Sequence, residues 1–441
     1  MSISSPLRPA DSGVRSGPPR QGGDPPVRLP PGPGPGRERS GSALPGQGTW
    51  RSLPCPRSAP VLTTDLAAVR ENVRTVLSHT DAAVMAVVKA DGYGGGAVET
   101  AWAALAAGAT WLGVTSIEEA LTLRAAGLTG VPVLSWLNPV HADFAAAVGA
   151  GVDLAVPSRQ HLRAVGSAAS PGEPARVHLF LDTGMARDGA DPDEWPGLCR
   201  AARVEQDLGR IRVVGVMGHL PCADTPGSVR DTAALALFER GVRQATDAGL
   251  RPEHRHLAAT AATLTDRRSQ HTMCRIGAGL VGIDPSGTVP LRQAMSLTAP
   301  LVLVREVAPG TPVGYGSTWQ APRATRLGLV ALGYADGIPR QASGRAAVLV
   351  GGRRRPVVGA VSMDQFVVDL GSHDPVAPAD ADGAGGRETP GATVVVFGPG
   401  DDGEPTVQEW ARWCGTIAHE IITGLGPRVV RAVVDDGQGG E

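Results

Sequence analysis

Eight short apolar runs alternate with alanine-rich stretches of helical periodicity between residues 84 and 282. Such an alternation of strands and helices is typical of an α/β fold with a parallel sheet. Eight units predict a (β/α)8 barrel of the TIM type, and this count favours the barrel over the alternative of an open, doubly wound sheet. The runs are VMAVVKA (84–90), WLGVTS (111–116), VPVLSWL (131–137), DLAVPS (153–158), RVHLFLDTG (176–184), VVGVMGHL (213–220), HRHLAAT (254–260) and CRIGAGLVG (274–282).

A tail precedes the predicted barrel, and a β region follows it. Residues 1–55 are rich in Pro, Gly, Arg and Ser and bury too little apolar surface to fold. After about residue 295 the pattern changes to strands, with Gly351-Gly352 at a predicted hairpin turn. We predict a disordered tail over 1–55, a cofactor-binding barrel over 56–294, a mostly β C-terminal domain over 295–434 with a surface loop at 373–390, and a tail over 435–441.

Charge and cysteine content disfavour several classes of function. The formal net charge is −2, so no overall basic field favours binding of nucleic acid. No apolar run is long enough to cross a membrane, and no secretory signal is expected at the N-terminus. The cysteines form no C-x-x-C pair, which predicts reduced thiols, a cytoplasmic location and no metal site; they are Cys55, Cys199, Cys222, Cys274 and Cys414.

Lys89 is the single lysine of the chain, and the other 40 of its 41 Lys and Arg residues are arginine. Arginine replaces lysine as a surface cation or ion-pair partner, but its guanidinium stays protonated and cannot attack a carbonyl. A buried lysine can lose its proton and form a Schiff base. The position of Lys89, after an apolar run and before a glycine-rich turn, therefore predicts an amine with a chemical task.

Polar and glycine residues follow the predicted strands at the end where barrels hold their catalytic groups. Loops after the seventh and eighth strands often bind phosphate there, and the Thr260 hydroxyl with the amides of Gly277 and Ala278 suits that task. A lysine, a phosphate site and extra arginines in one barrel indicate pyridoxal phosphate, with its aldehyde held as an imine on Lys89. The candidate residues are Lys89, Tyr93, Arg187, His219, Thr260, Arg275, Gly277 and Ala278.

Eight sequence blocks occur in an order that is specific to one family. The blocks are VVKADGYGGG, LDTGMARDG, GVMGHLPCAD, CRIGAGLVG, PVGYGSTW, LGYADGIPR, GAVSMDQ and GLGPRVVR. With them, the region from about residue 60 to 432 resembles the alanine racemases, pyridoxal phosphate enzymes with a barrel and a C-terminal β domain. Gly95 lies where a histidine is usual in that family.

The resemblance implies racemisation of alanine by two bases in a homodimer with shared active sites. Lys89 would hold the cofactor and act on one face of the substrate Cα, and Tyr315 of the partner subunit would act on the other. By the family's convention, Tyr315 takes the proton from L-alanine and Lys89 takes it from D-alanine. Two bases are needed because a proton removed from one face is returned to the opposite face.

The resemblance also assigns the other site residues. Arg275 would face the pyridine nitrogen, and since a guanidinium cannot accept a proton, it would suppress transamination. His219 would link Arg275 to Tyr315, and Arg187 would contact the phenolic oxygen of the cofactor. The phosphate would be bound by Tyr93, Thr260, Gly277 and Ala278, and the substrate by Arg187 and the Met363 amide, with Asp364 and Tyr334 at the entrance.

Some positions depart from the family pattern. Phe180 lies where many members have a carbamylated lysine that orients the arginine matching Arg187. Ala259 and Thr260 replace the usual Asn and Ser. A racemase of another small amino acid such as serine, and a catalytically degenerate paralogue that binds pyridoxal phosphate, therefore remain as alternatives.

Two further classes are disfavoured by the second domain. A pyridoxal phosphate lyase similar to D-threonine aldolase would lack the PVGYGSTW block, and a non-catalytic cofactor-binding barrel would lack the whole β domain. His178 and His256 lie inside strand-like runs, and we interpret them as structural.

Overall fold

Eight parallel strands form a closed ring in the computed structural model, which describes residues 58–170, 172–372 and 388–435. The first barrel strand pairs with the last, and the parallel bridge between Ala259 and Arg275 closes the ring. This confirms the predicted barrel, because the end strands of an open sheet would lie apart. After β1 (Val61–Asp65), the barrel strands are β2 (Ala83–Val87), β3 (Trp111–Val114), β4 (Val133–Ser135), β5 (Val152–Val156), β6 (Ala175–Phe180), β7 (Ile211–Met217), β8 (His254–His256) and β9 (Met273–Ile276).

Helical segments connect the barrel strands. Their starts follow from local sequence: Asp65 accepts the amide of Ala67 at 2.8 Å, and Ser116 forms a capping box with Glu119. The segments are α1 (Leu66–Leu77), the short turn α2 (Lys89–Tyr93), α3 (Ala97–Ala106), α4 (Ile117–Ala125), α5 (Phe144–Gly149), α6 (Arg159–Ala168), α7 (Trp195–Asp207), α8 (Val229–Asp247) and α9 (Thr260–Thr265).

The barrel interior is filled by side chains from alternate positions of the strands. Most of them are large and apolar, and they form one buried cluster inside the ring. The interior is therefore a packed core, and a site can form only at its mouth. The cluster comprises Met85, Val87, Trp111, Leu134, Ala155, Phe180, Met217 and Met273.

The second domain is a second, smaller ring of antiparallel strands. Six strands follow one another as β13-β16-β15-β14-β17-β10, and β13 also pairs with β10. Gly351 and Gly352 form the predicted hairpin turn, both with positive φ. These findings confirm the mostly β domain. Its elements are β10 (Met295–Val307), β11 (Pro312–Val313), β12 (Trp319–Gln320), β13 (Thr325–Val330), β14 (Ala347–Val350), β15 (Arg353–Val358), β16 (Phe366–Gly371), β17 (Thr393–Phe397), α10 (Val407–Cys414), α11 (Ala418–Thr423) and β18 (Val430–Val434).

The first strand of the described chain joins the second sheet. β1 pairs antiparallel with β10 and parallel with β18, although it lies within the range 56–294 that the prediction assigned to the barrel. The other predicted domain bounds remain a prediction. Residues 1–57, 373–387 and 436–441 lie outside the described residues, and with them the predicted N-terminal tail and most of the predicted loop and C-terminal tail. No helix in the described ranges is long and apolar enough to cross a membrane.

Candidate active site

Lys89 leaves strand β2 through a turn of unusual hand. Ala90, Asp91, Gly92 and Tyr93 have φ values of 52°, 53°, 63° and 61°, so four successive residues lie in the left-handed region. The turn is hydrogen-bonded like a helix, because the Gly94 amide donates to the Ala90 carbonyl at 2.9 Å. A left-handed conformation costs an L-residue about 1–2 kcal/mol. Strain of this kind persists where the surrounding structure enforces it, and it is often found at functional sites.

Glu119 holds this turn to the next βα unit. Its Oε1 accepts the amide of Ala90 at 2.7 Å, immediately after Lys89. Its Oε2 accepts both the amide and the hydroxyl of Thr115 at 2.8 Å. The carboxylate therefore fixes the backbone beside the lysine. Sequence alone does not indicate this role, because Ser116 and Glu119 have the spacing of an ordinary helix capping box.

The Lys89 amine is half-buried among cations. Burial lowers its pKa, and the charge of Arg187 lowers it further, while Glu119 acts in the opposite direction. No hydrogen-bond acceptor within the described residues holds the ammonium. These conditions favour the neutral amine, which is the form that attacks a carbonyl or accepts a proton.

Arg275 is buried at the end of β9 and makes a dense set of hydrogen bonds. Nη1 donates to Nδ1 and to the carbonyl of His256 at 3.1 and 2.8 Å. Nη2 donates to the carbonyls of Gly218 and Leu257 and to Nδ1 of His219, at 2.8, 3.2 and 3.1 Å. Burial lowers the pKa of Arg275 to about 10, so it remains a cation at neutral pH. Nε has no acceptor among the described residues.

His219 is held at its backbone by Thr183 and at its ring by Arg275. The Thr183 hydroxyl donates to the His219 carbonyl at 2.6 Å and accepts the His219 amide at 3.1 Å. Since arginine can only donate, Nδ1 of His219 is the acceptor for Arg275 and the ring proton lies on Nε2. Burial, aided by the charges of Arg275, Arg187 and Lys89, lowers the pKa of His219 to about 3. The ring is therefore a neutral donor.

The predicted phosphate residues converge at one end of this mouth. Thr260 begins α9, and its hydroxyl accepts the amide of Gly279 at 3.2 Å. A Cβ at Gly277 would lie 2.0 Å from the Tyr93 hydroxyl, so only glycine fits there. Ala278 follows directly. Burial raises the pKa of Tyr93, which keeps its hydroxyl protonated as a donor.

Arg187 lies on a loop that Asp182 organises. The Asp182 carboxylate accepts the amides of Gly184, Met185 and Ala186 at 2.9, 3.0 and 3.0 Å. Arg187 is exposed and lines a small cavity with His219 and the buried Phe180. No acidic partner for its guanidinium lies within the described ranges. Phe180 packs into the barrel core. Its apolar ring cannot orient Arg187 in the way expected of a carbamylated lysine at this position.

The four predicted site residues of the second domain lie on its surface. Tyr315, Met363 and Tyr334 are 73%, 53% and 42% exposed. The short 3-10 turn Tyr334–Asp336 contacts the Met363 loop, because the Ala335 amide donates to the Met363 carbonyl at 2.9 Å. Arg428 bridges Asp336 and Asp364 at 2.7 Å each. A tyrosine as exposed as Tyr315 is not packed into the site of its own chain.

Together, these residues fit pyridoxal phosphate. The amine of Lys89 can bond its aldehyde, and the absence of a Cβ at Gly277 lets the Tyr93 hydroxyl lie against the backbone there. Arg275 retains one unpaired donor for a ring atom, and Thr260 with Tyr93 offers hydroxyls at the phosphate end. Among the described residues, no group of three or more His, Cys, Asp or Glu side chains could hold a metal ion.

Comparison with known proteins identifies one family for both domains. Family models described as alanine racemase, N-terminal domain, and alanine racemase, C-terminal domain, match residues 64–285 and 294–433. An alanine racemase of Frankia casuarinae is 46% identical over 378 residues, covering 84% of this chain and 95% of the relative. One of Streptomyces coelicolor is 45% identical over 384 residues, with coverages of 84% and 95%.

Solved structures agree with the sequence comparison. The alanine racemase of Streptomyces coelicolor A3(2) has a TM-score of 0.80 and 44% identity, covering 86% of this chain and 98% of that one. The alanine racemase of Bartonella henselae with covalently bound pyridoxal phosphate has a TM-score of 0.75 and 26% identity, with coverages of 86% and 100%.

Proposed function

The chain belongs to the alanine racemase family, and on that premise we propose that it interconverts L- and D-alanine with pyridoxal phosphate as its cofactor. The observation that carries this proposal is the arrangement of Lys89, Arg275 and His219 at one mouth of the barrel. These side chains supply a neutral amine, a buried cation and a neutral imidazole donor. When bound, the cofactor supplies an aldehyde for amine groups and a ring that delocalises negative charge from the substrate Cα.

We propose that Lys89 is one of two bases. Its lowered pKa favours the neutral amine, which removes the α-proton of D-alanine and becomes the ammonium. In the opposite direction the ammonium returns a proton to form D-alanine. Glu119 and the left-handed turn hold the backbone at Lys89, which keeps the amine on one face of the substrate. Arg275 would direct its Nε donor to the cofactor ring and, as a cation, would oppose protonation of the ring nitrogen. This favours proton exchange at Cα over transamination.

Tyr315 of the partner subunit is the proposed second base. Its exposure on the single chain supports a position completed by dimer formation. His219 supports it by donating from Nε2 to the phenol oxygen, which stabilises the deprotonated form. Met363, Tyr334 and Asp364 lie on the same exposed surface. They would bind the substrate carboxylate and line the entrance, and Arg187 would contact the cofactor's phenolic oxygen and the substrate.

We also propose a homodimer in the cytoplasm. The shared-site argument for Tyr315 supports the dimer, and sedimentation velocity measures it. The cysteines at 199, 222, 274 and 414 are free thiols, and two of them are buried, which supports a reducing compartment. Cell fractionation with a tagged chain tests the location.

The preferred amino acid is tested directly with purified enzyme and cofactor in heavy water. We expect L-alanine to yield D-alanine that carries deuterium at Cα, and L-serine to react more slowly. Faster conversion of L-serine would assign the alternative substrate. Exchange of neither amino acid, with cofactor bound, would favour the degenerate paralogue.

A further inference from the structure

A chain of buried polar side chains runs through the barrel interior from Arg275 to the opposite face. Arg275 contacts His256, and His256 Nε2 lies 2.8 Å from His178 Nδ1. His178 Nε2 lies 3.2 Å from Asp153 Oδ2, and Arg176 pairs with the Asp153 carboxylate at 2.7 Å. Asp153, His178 and His256 are each at most 1% exposed. We call this set the Arg275–Asp153 chain.

The proton positions along this chain follow from its two ends. Arg275 can only donate, so His256 Nδ1 accepts and the proton of His256 lies on Nε2. That proton is donated to His178 Nδ1, and His178 then donates from Nε2 to the carboxylate of Asp153. The carboxylate is an acceptor only, so both ends impose the same direction.

The surroundings of His178 are shaped for this ring. A Cβ at Gly215 would lie 2.1 Å from His178 Nδ1, so the glycine leaves space for the imidazole. Trp111 packs edge-on against the ring at 5.6 Å between centroids. The rest of the interior is apolar, and an apolar side chain is generally no less stable than a buried ion pair. The polar chain therefore needs an explanation beyond packing.

The Arg275–Asp153 chain ends at Arg275, a residue of the proposed active site. His256 occupies Nη1 of Arg275, and His219 with two carbonyls occupies Nη2. Nε is left as the donor without an acceptor in the described part of the chain. If His256 carried its proton on Nδ1, two donors would face each other and the guanidinium would have to move.

We propose that Asp153, His178 and His256 are positioning residues of the racemase, and that they fix the orientation of Arg275 by a directed hydrogen-bond chain. This inference rests on the proposed function, because Arg275 is the residue that faces the cofactor. The chain keeps His256 in the Nε2–H form and thereby keeps Nε of Arg275 directed to the ring and His219 directed to the partner's Tyr315.

Three variants at two neighbouring histidines test the chain. His178→Phe removes both hydrogen bonds, whereas His178→Gln retains an amide oxygen to accept and an amide nitrogen to donate. His254→Phe is the matched control, since its ring stacks on His178 at 6.1 Å but is not part of the chain. Asp153→Asn is a second way to break it, because both carboxylate oxygens accept from Arg176 or His178, and the new amide NH2 would face one of these donors.

The first measurement is a long-range 1H–15N spectrum of protein labelled in its histidine rings, recorded without cofactor. We expect His256 and His219 to be protonated on Nε2 alone in the wild type, His178→Gln and His254→Phe. In His178→Phe and Asp153→Asn we expect His256 to show both tautomers, because its Nε2–H loses its fixed acceptor and the guanidinium of Arg275 alone can move away from Nδ1. An unchanged His256 tautomer in folded His178→Phe and Asp153→Asn would overturn the proposal.

The second measurement compares racemisation of alanine with loss of activity by transamination in the same proteins. Breaking the chain should lower racemisation about tenfold and raise the fraction of turnovers that end in transamination. His178→Gln should stay within about threefold of the wild type, as a retained acceptor and donor predict. The same ratio of racemisation to transamination in all folded variants and the wild type would overturn the proposal. A wild type that does not racemise alanine would instead overturn the proposed function, while the spectra would still test the chain.

Discussion

The guanidinium of Arg275 donates to Nδ1 of His219 over 3.1 Å, which places the ring proton of His219 on Nε2. Arg275 lies on β9 and His219 follows β7, so the contact spans the end of β8, which lies between these two strands. Backbone carbonyls hold Arg275, and the Thr183 hydroxyl holds the backbone of His219. This single contact therefore connects the group that we propose faces the cofactor ring with the group that we propose faces the partner's tyrosine. The hydrogen bond orients both side chains, and neither of them is proposed as a catalytic base.

The Lys89→Arg variant should lose both the covalent bond to the cofactor and the activity, because a guanidinium does not lose its proton. Borohydride reduction followed by peptide mass mapping should place the cofactor on Lys89 in the wild type and on no residue in the variant. Arg200→Lys, at an exposed site of α7, is the control and should add a lysine that stays unlabelled. Racemisation that survives Lys89→Arg would contradict the assignment.

Tyr315→Phe should slow conversion of L-alanine by about 10²–10⁴, the usual contribution of a general acid or base, and leave cofactor binding intact. Visible absorbance of the bound cofactor and chiral analysis of alanine measure the two effects separately. Loss of cofactor from this variant would show that the phenol has a structural role instead.

Gly277→Ala should weaken cofactor binding, because the new methyl group would lie 2.0 Å from the Tyr93 hydroxyl. Removing that hydroxyl in the double variant Gly277→Ala, Tyr93→Phe should restore part of the affinity, since the ring carbon is then the nearest atom, at 2.9 Å. Titration of the cofactor-free protein by fluorescence gives the dissociation constants. Additive losses in the double variant would be inconsistent with a direct clash.

Glu119→Ala should impair both stability and activity by releasing the Ala90 and Thr115 amides. A hydrogen bond to a charged group contributes about 1.5–3 kcal/mol. Because the Ala90 amide is exposed and the Thr115 amide is only part-buried, the free energy of unfolding should fall by the lower value, about 1.5 kcal/mol. Glu119→Gln keeps one acceptor oxygen and should lie between the alanine variant and the wild type. Urea denaturation and the rate at saturating alanine are the measurements. Full activity in Glu119→Ala would show that the turn does not need this carboxylate.

Acid should destabilise the fold through its buried histidines. Burial lowers the pKa of His219 to about 3 and that of His256 well below its ordinary value of 6.5. Below pH 6.5 the unfolded chain binds protons at these positions and the folded chain does not, so stability falls as the pH decreases from 6.5 towards 3. Each group contributes at most about 1.4 kcal/mol per pH unit.

The test compares the free energy of unfolding at pH 7 and pH 5 in His219→Gln and in the wild type. The variant should lose less stability between these two pH values than the wild type does. The exposed His141 is the matched control, and His141→Gln should show the wild-type difference. An equal loss in His219→Gln and the wild type would refute the neutral assignment of His219.

Local patterns predicted the barrel and the mouth at which its candidate site residues lie. Each of the eight apolar runs contains or overlaps a strand, because buried parallel strands are continuous in sequence, and polar residues after them lie at one mouth. Long-range pairings could not be predicted in the same way. β1 pairs with β10 and β18, and β13 pairs with β10 to close the second ring. These strands are far apart in the sequence, and local patterns do not indicate which of them pair.

The hydrogen bonds of His178 and His256 are a second feature that could not be predicted from the sequence. Both lie inside strand runs, where a structural interpretation is the ordinary one. Their hydrogen-bond partners come from other strands, so only the closed barrel brings them into line between Arg275 and Asp153. The inward parity of His178 with Phe180 was available in the sequence, and it is the signal that could have indicated a polar path through an apolar core.

Subunit complementation tests the central claim most directly, namely that Lys89 and Tyr315 of the partner subunit form one site. Lys89→Arg and Tyr315→Phe are each expected to be nearly inactive, and they are mixed, dissociated and reassociated. Random pairing gives half mixed dimers, each with one intact site, so activity should recover to about one quarter of the wild type. No recovery, with mixed dimers demonstrated by mass spectrometry, would mean that both bases come from the same chain and would contradict the account.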